Sequence, residues 1–498
     1  MDVQQLRDDA ASDKLSVDKL IDVVALQQDQ IREMQKRIDE LEAIIKSKNP
    51  TKRLDQPYSE NAENKRNPKP GKRKRKPLRR GRISTAEKIK FAERTETIFP
   101  EAVSRDDCKL SHTRVAWRLE NGRAVLVAYE IYRHGNRYGK PAGLIGRGEF
   151  GIEIIIAVAY QVYCLGLSID KACAVLSFFQ QLKLKKSQAD ALLNSLARTW
   201  ESEFDSLCTL LANSAVVHTD ETSWSINSVW AFLSDKLTVL FYGVHKDGST
   251  LAEILDKETF AGTLISDDAA VYQGFSKAQK CWAHLIRKAI KLTLQEPDNE
   301  VYRHFADRLL EIYNFAKRIK ADGRLKDSTR LARAAELDDE LLELCGARWL
   351  DDDTDGDETE NDYRCLCNEI MRLMLGQELF VFVTEPAADG NNNAAERQLR
   401  DDALARKTGR TSKTPAGAKR RSVISSVLQS IGKQLESFTL ESVIEEASRW
   451  LVKGRSCFTD QIESSGLSPP GGRSSPPGGR SSPEQKSLLD RVVLSADA

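Results

Sequence analysis

The chain has 498 residues, 40% hydrophobic and 30% charged, and its 75 Lys+Arg nearly balance its 74 Asp+Glu at a net charge of +1. That length leaves room for about two to four domains and a sizeable core, and the even charge says little about partners until its distribution is followed. Nine scattered cysteines, of which Cys365 and Cys367 form the one close pair, exclude a disulfide framework and give no strong zinc signature; with no signal peptide at the N-terminus they point to a reducing cytoplasm.

Residues 15–47 carry a heptad. Val17, Val24, Ile31, Ile38 and Ile45 hold one position, and Leu20, Gln27, Met34 and Leu41 the interleaved one. This predicts a coiled coil and self-association, with a solitary amphipathic helix as the alternative. Residues 48–92 then read as a basic, disordered linker. Its stretch KRNPKPGKRKRKPLRRGR, from Lys65, has eleven Lys/Arg and no acid. Lys65, Arg66, Lys72, Arg73, Lys74, Arg75, Lys76, Arg79 and Arg80 are therefore candidate phosphate contacts, salt-dependent and largely blind to sequence.

Residues 93–140 read as a small β module, because 113–134 alternate and Glu120-Asn121-Gly122 marks a hairpin turn. Residues 141–213 read as helices. The apolar run IEIIIAVAYQVYCLGL, from Ile152, contains Glu153 and is short for a membrane span, so a buried helix and no membrane association are expected.

Residues 214–290 read as strands AVVHTDET, SVWAFLSD and LTVLFYGV, a helix STLAEILD, a strand GTLISDD, a fifth strand KAQKCWAH, and a helix from LIRKAIKL. Three strands in series followed by a crossover to a parallel strand describe a mixed α/β core. Residues 291–380 form a helical insertion whose acidic run DDDTDGDETEND lacks the ligand spacing of a calcium loop. Residues 381–455 hold the helix after NNNAAERQLR and two further helices. There Asn393 is expected to cap a helix that carries Glu396 in its first turn. A second basic stretch runs from Arg406 to Arg421 and makes Arg406, Lys407 and Arg410 candidate phosphate contacts. The tail 456–498, with its SPPGGRS repeat, is expected to be disordered.

The carboxylates carry the chemistry. Asp220 ends the first strand and Asp267 the strand after the crossover, so adjacent strands would deliver both to one edge, with Glu396 packing over it. Three converging carboxylates repel unless cations neutralise them, and hard divalent ions suit oxygen ligands. Acids at strand ends are also common turn residues, and Glu221 and Asp268 stand beside the two candidates.

HTDET at 218–222, SDDAAVY at 266–272, CWAHLIRK at 281–288 and NNNAAERQLR at 391–400, in this order, resemble the transposases of the insertion sequence 66 family, over roughly residues 15–455. The resemblance implies a multidomain α+β protein whose ribonuclease-H-like core follows a coiled coil, a basic linker, a small β module and a helical domain. It makes Asp220, Asp267 and Glu396 a catalytic triad for Mg2+ or Mn2+, two ions, and places His284 at the active-site border in a catalytic or structural role. Arg397 and Arg400 would help hold phosphates. Expected partners are transposon-end and target DNA, a second copy of the chain, and accessory proteins of the same element; expected localisation is cytoplasmic and nucleoid-associated. Where the family has Asp-Asn-Asn this chain has Asn391-Asn392-Asn393, and Asp268 replaces its usual Gly. Of the family's zinc module Cys108 and His112 remain, so no zinc is expected there. An inactive DNA-binding dimer on the same scaffold, or a nuclease without strand transfer, are the alternatives.

Overall fold

The computed structural model describes residues 32, 36, 37, 83–349 and 358–467. The chain divides into two units, Met1–Arg82 and Ile83–Ala498. In the first, Arg32, Lys36 and Arg37 are helical and exposed; the rest of the heptad and the candidate cations from Lys65 to Arg80 lie outside the described residues.

The second unit opens with a short helix, α1 (Thr85–Ile89), fixed by a capping box in which Ser84 and Glu87 bond each other's backbone N–H. This corrects the last part of the expected disordered linker, since the box and the contact of Ile89 and Ala92 with a small apolar cluster order residues 84–92. Strands β1 (Arg94–Ile98), β2 (Lys109–Glu120), β3 (Arg123–His134) and β4 (Arg137–Tyr138) form the first sheet, in the order β1-β3-β2 with β4 also on β3. The β2–β3 hairpin turns at Asn121 and Gly122, both at positive φ (48° and 77°). Paired positive φ gives a turn whose twist matches the strands.

Four helices follow: α2 (Ile152–Tyr163), α3 (Ile169–Phe179), α4 (Lys186–Thr199) and α5 (Glu201–Ala212). The apolar run at Ile152 is a buried helix, and its Glu153 is paired with Arg118 of β2 at 2.6 Å. Among the described residues no helix is long and apolar enough to cross a membrane.

The second sheet is built from β5 (Val216–Ser223), β6 (Ser228–Leu233), β7 (Thr238–Val244), β8 (Thr263–Ser266) and β9 (Ala278–Lys280), in the order β7-β6-β5-β8-β9. Its first three strands are antiparallel, and β8 and β9 run parallel to β5. A short helix, α6 (Gly248–Ile254), lies on the crossover from β7 to β8. Both faces are covered, so every residue of β6 is buried. Trp230 and Phe232 join the core shared with α2–α5, while Val229, Ala231 and Leu233 face the other side, as the two-residue strand period requires.

Helices α7 (Trp282–Gln295), α8 (Glu300–Ala321), α9 (Asp327–Cys345), α10 (Glu358–Leu375) and α11 (Val381–Thr384) pack around their own apolar core. The chain then returns to the sheet with α12 (Asn393–Lys407), whose Ala395 and Leu399 pack on Val229, Ala231 and Leu240. The last three helices are α13 (Pro415–Gln434), α14 (Leu440–Lys453) and α15 (Cys457–Ser465). The third of these corrects the start of the expected disordered tail. Phe458 is fully buried beside Trp450, which orders the segment.

Both edges of the second sheet are closed. On β7, the backbone N–H groups of Thr238, Leu240 and Tyr242 donate to the hydroxyls of Ser430, Ser426 and Ser422 on α13, at 2.9–3.0 Å. Gly243, at φ 80°, permits this approach: a Cβ there would lie 2.9 Å from the Cβ of Ala418. On β9, the Lys280 N–H donates to the Glu378 carbonyl at 2.8 Å, and the Gln279 side chain bonds Leu379 and Phe382 backbone.

Candidate active site

Cross-strand register decides where the acids point. Asp220 is paired with Ala231 and Glu221 with Trp230, and directly opposed residues share a face. Asp220 therefore faces α12 with Ala231, and Glu221 faces the core that holds Trp230. Asp220 lies within β5, which runs on to Ser223, rather than at its end; the antiparallel pairing with β6 extends the strand past the acids. Strand β8 pairs with β5 through His218 and Ile265. Continuing that register two residues sets Asp267, just beyond β8, level with Asp220.

Glu396 occupies the first turn of α12. Its Oε1 lies 2.9 Å from Arg287 Nη2 and 3.7 Å from His284 Nδ1. The expected cap is corrected: Asn393 is the first helical residue, Asn392 takes the cap position with no capping bond from its side chain, and Asn391 Oδ1 accepts the Asn393 N–H at 3.1 Å. The Glu396 carboxylate is thus directed away from its own helix terminus.

What turns α12 into place is a joint between two motifs. CWAH is not the end of a strand: β9 stops at Lys280, Cys281 is the N-cap residue of α7, and His284 lies in its first turn. The backbone N–H of Asn392 donates to Cys281 Sγ at 3.1 Å, and that of Trp282 to the Gly390 carbonyl at 3.0 Å. The buried Asn392 amide donates from Nδ2 to the Thr219 carbonyl at 2.7 Å, one residue from Asp220. The asparagine run thus ties α7, α12 and β5 together.

Neutralisation divides the acids. Glu221 is bonded by Tyr272 Oη and paired with Lys246 at 2.5 Å. Asp268 is paired with Arg372. Among the described residues neither Asp220 nor Asp267 has an ion-pair partner. Asp220 accepts the Glu221 N–H at 2.9 Å, and Asp267 the Ala269 N–H at 3.1 Å. Burial pushes the Asp220 carboxyl up to about 7, and the negative charges of Glu221, Asp267 and Glu396 add to it. A buried carboxyl raised in this way is a place where a cation replaces a proton. Lys280 lines the same region, its Nζ 3.2 Å from the Asp267 carbonyl oxygen and from Ser266 Oγ, and burial lowers its pKa. A cleft of about 890 Å3 opens here, lined by Asp267, Lys280, His284, Lys288, Trp349 and Arg372 among others.

The other sequence candidates divide between surface and interior. Arg397 and Arg400 are exposed on α12, as are Lys407 and Arg410 at and just beyond its end. Arg406 is not a free surface cation, because its Nη1 donates to the Ser223 carbonyl at 2.8 Å. The end of the same basic stretch is also committed inside the protein. Lys419 pairs with Glu201 at 2.5 Å, Arg420 with Asp190 at 2.6 Å, and buried Arg421 with Asp402 at 3.4 Å. Cys108 Sγ bonds the Ser104 carbonyl, and His112 Nδ1 its neighbour Ser111. Sequence reasoning passed over Asn392, Arg287 and Lys280; the asparagine run was the one local signal.

A family model described as "Transposase IS66 family" matches residues 147–420. The comparison with curated proteins gives no match.

Proposed function

Starting from a chain that belongs to the IS66 family of transposases, we propose that it cleaves DNA at insertion-sequence ends and joins the freed 3′-OH to target DNA, in a reaction dependent on divalent metal. The observation that carries this reading is the division of the acids: Asp220 and Asp267 stand at one register level with no ion-pair partner among the described residues, while their neighbours Glu221 and Asp268 are neutralised. The strand order β7-β6-β5-β8-β9 supports assigning the second sheet to a ribonuclease-H-like core.

The all-oxygen donor set of Asp220, Asp267 and Glu396 fits Mg2+ or Mn2+. Two such ions would supply Lewis-acid activation of the attacking oxygen and stabilisation of the leaving one. The chain's own groups do the remaining work. Asp220 would hold an ion as the ionised carboxylate. Arg287 holds the Glu396 carboxylate, and the Asn392 joint fixes the distance from α12 to β5. Arg397, Arg400, Lys407 and Arg410 contact phosphates and position the duplex without reading its sequence. The heptad segment pairs two protomers so that two ends meet in one complex, and the basic segment from Lys65 adds salt-dependent affinity.

The test is cleavage and strand transfer on a labelled transposon-end duplex with Mg2+ or Mn2+, with Asp220→Asn and Glu396→Gln beside the unaltered chain and gel shift as the binding control. Cleavage lost with binding retained is expected. An unaltered chain that binds paired ends and never cuts them rejects the catalytic reading and leaves a DNA-binding dimer. Cleavage without joined products leaves a nuclease.

A further inference from the structure

The Glu396 carboxylate has a second set of neighbours. Ligand atoms of Cys281, His284 and Glu396 all lie within 4.8 Å of one another. Cys281 is 2% exposed, and the buried Nδ1 of His284 has no hydrogen-bond partner among the described residues. We propose that Cys281 Sγ, His284 Nδ1 and Glu396 bind a thiophilic transition ion, with Zn2+ as the type case, in a site separate from the three-carboxylate set but sharing Glu396 with it.

The donor chemistry is that of such an ion. Thiolate, imidazole and a carboxylate oxygen bind Zn2+ at about 2.3, 2.0–2.1 and 2.0–2.2 Å, and three protein ligands leave a fourth position for water or a phosphate oxygen. Cys281 and His284 are three residues apart at the start of α7, a spacing that puts both on one helix face. Burial raises the Cys281 thiol, and the backbone N–H that Asn392 donates to the sulfur at 3.1 Å opposes it by favouring the thiolate. Such N–H···S bonds are retained when the sulfur is a metal ligand. On binding, the thiol proton passes to solvent and the S–H bond is replaced by S–metal. Mg2+ does not compete for a thiolate, so the two sites differ in the ions they accept.

Sharing Glu396 makes the two sites mutually exclusive. A thiophilic ion at Cys281 and His284 withdraws the carboxylate from Asp220 and Asp267, so Zn2+ inhibits the Mg2+-supported reaction. The inhibition rests on the function proposed above; the binding does not.

The test uses the full-length protein and Co2+ as a spectroscopic stand-in for Zn2+. A thiolate-to-cobalt charge-transfer band is expected at one equivalent, to be abolished by Zn2+ and by Cys281→Ser, weakened in His284→Gln and kept in Asp220→Asn. Circular dichroism melting confirms that each variant is folded. No band in the folded unaltered protein overturns the site, as does a band that survives Cys281→Ser, which would report one of the other eight cysteines. In the cleavage assay, each protein is compared with its own zinc-free rate. Zinc inhibition should require at least about tenfold more Zn2+ in Cys281→Ser, a shift equivalent to about 1.4 kcal/mol; equal sensitivity overturns the shared-ligand argument. A protein that shows the band but never cleaves leaves the metal site standing and removes the function on which the inhibition rests.

Discussion

Cys281 and Asn392, 111 positions apart in the chain, are joined by a hydrogen bond of 3.1 Å from the Asn392 backbone N–H to the cysteine sulfur. The Asn392 side chain carries the joint on to the Thr219 carbonyl at 2.7 Å. Because Glu396 lies in the first turn of the helix, four residues later, that amide fixes where the helix carrying the carboxylate starts, and Arg287 then holds the carboxylate itself at 2.9 Å. Replacing Asn392 with Ala should cost about 1–3 kcal/mol, the penalty for leaving a buried partner unsatisfied. Chemical denaturation would read that cost. Cleavage should fall further than the loss of folded protein accounts for. A variant that keeps full specific activity would show that Glu396 is held by other means.

Asp267 and Asp268 should behave oppositely. Asp267 has no ion-pair partner among the described residues, whereas Asp268 is held by Arg372. Asp267→Asn should abolish cleavage and the rise in melting temperature that Mg2+ gives the unaltered protein. Asp268→Asn should leave cleavage within a few-fold, since a half-exposed pair of this kind contributes little. The reverse order would transfer the ligand role to Asp268.

Asp220 predicts a pH dependence with a definite sign. Its carboxyl is raised to about 7 by burial and by Glu221, Asp267 and Glu396, above the value of an unfolded chain, so the metal-free native state holds the proton more tightly. That stabilisation is complete below the ordinary carboxyl range and is lost as pH rises through about 7. Metal binding needs the ionised form and should weaken by about tenfold for each pH unit below that point, for one displaced proton. Melting with and without Mg2+, one unit on either side, measures both limbs. Asp220→Asn should flatten its share of the metal-free slope and remove the metal response.

Ser426 is buried, and its hydroxyl accepts the N–H of Leu240 at 2.9 Å. Ser426→Ala should destabilise the protein by about 1–3 kcal/mol. Hydrogen exchange should then quicken at Leu240 more than at Val239. Uniform protection along β7 would mean that water or a backbone shift had replaced the hydroxyl.

The strands of the second sheet were legible because burial on both faces makes them near-continuous apolar runs broken by turn residues. The hairpin at Asn121-Gly122 was legible because two positive φ angles demand those residue types. CWAH read as the end of a strand since KAQKC alternates in polarity, yet buried Trp282, stacked on Tyr313 and tilted against Phe380, belongs to the first turn of a helix. The basic stretch near Arg406 shows the limit of composition. Whether a cation meets solvent or an acid depends on partners such as Asp190, 230 residues from Arg420, and no local pattern carries that information. The roles of Asp220 and Glu221 are separated by strand register, which a one-residue slip would exchange.

The serines on α13 act as a ruler read against β7. Four residues of helix advance about 6.0 Å, and two residues of strand about 6.6–6.8 Å. Ser422, Ser426 and Ser430 therefore meet Tyr242, Leu240 and Thr238 with an error that grows by about 0.6–0.8 Å per mark. Three marks stay within hydrogen-bond tolerance and a fourth would not. At the two positions where a fourth would fall the chain has Ala418 and Gln434. One inserted residue in the middle of the helix would rotate the later marks by about 100° and erase them. Residues 422–430 should accordingly tolerate substitutions far better than any change of length.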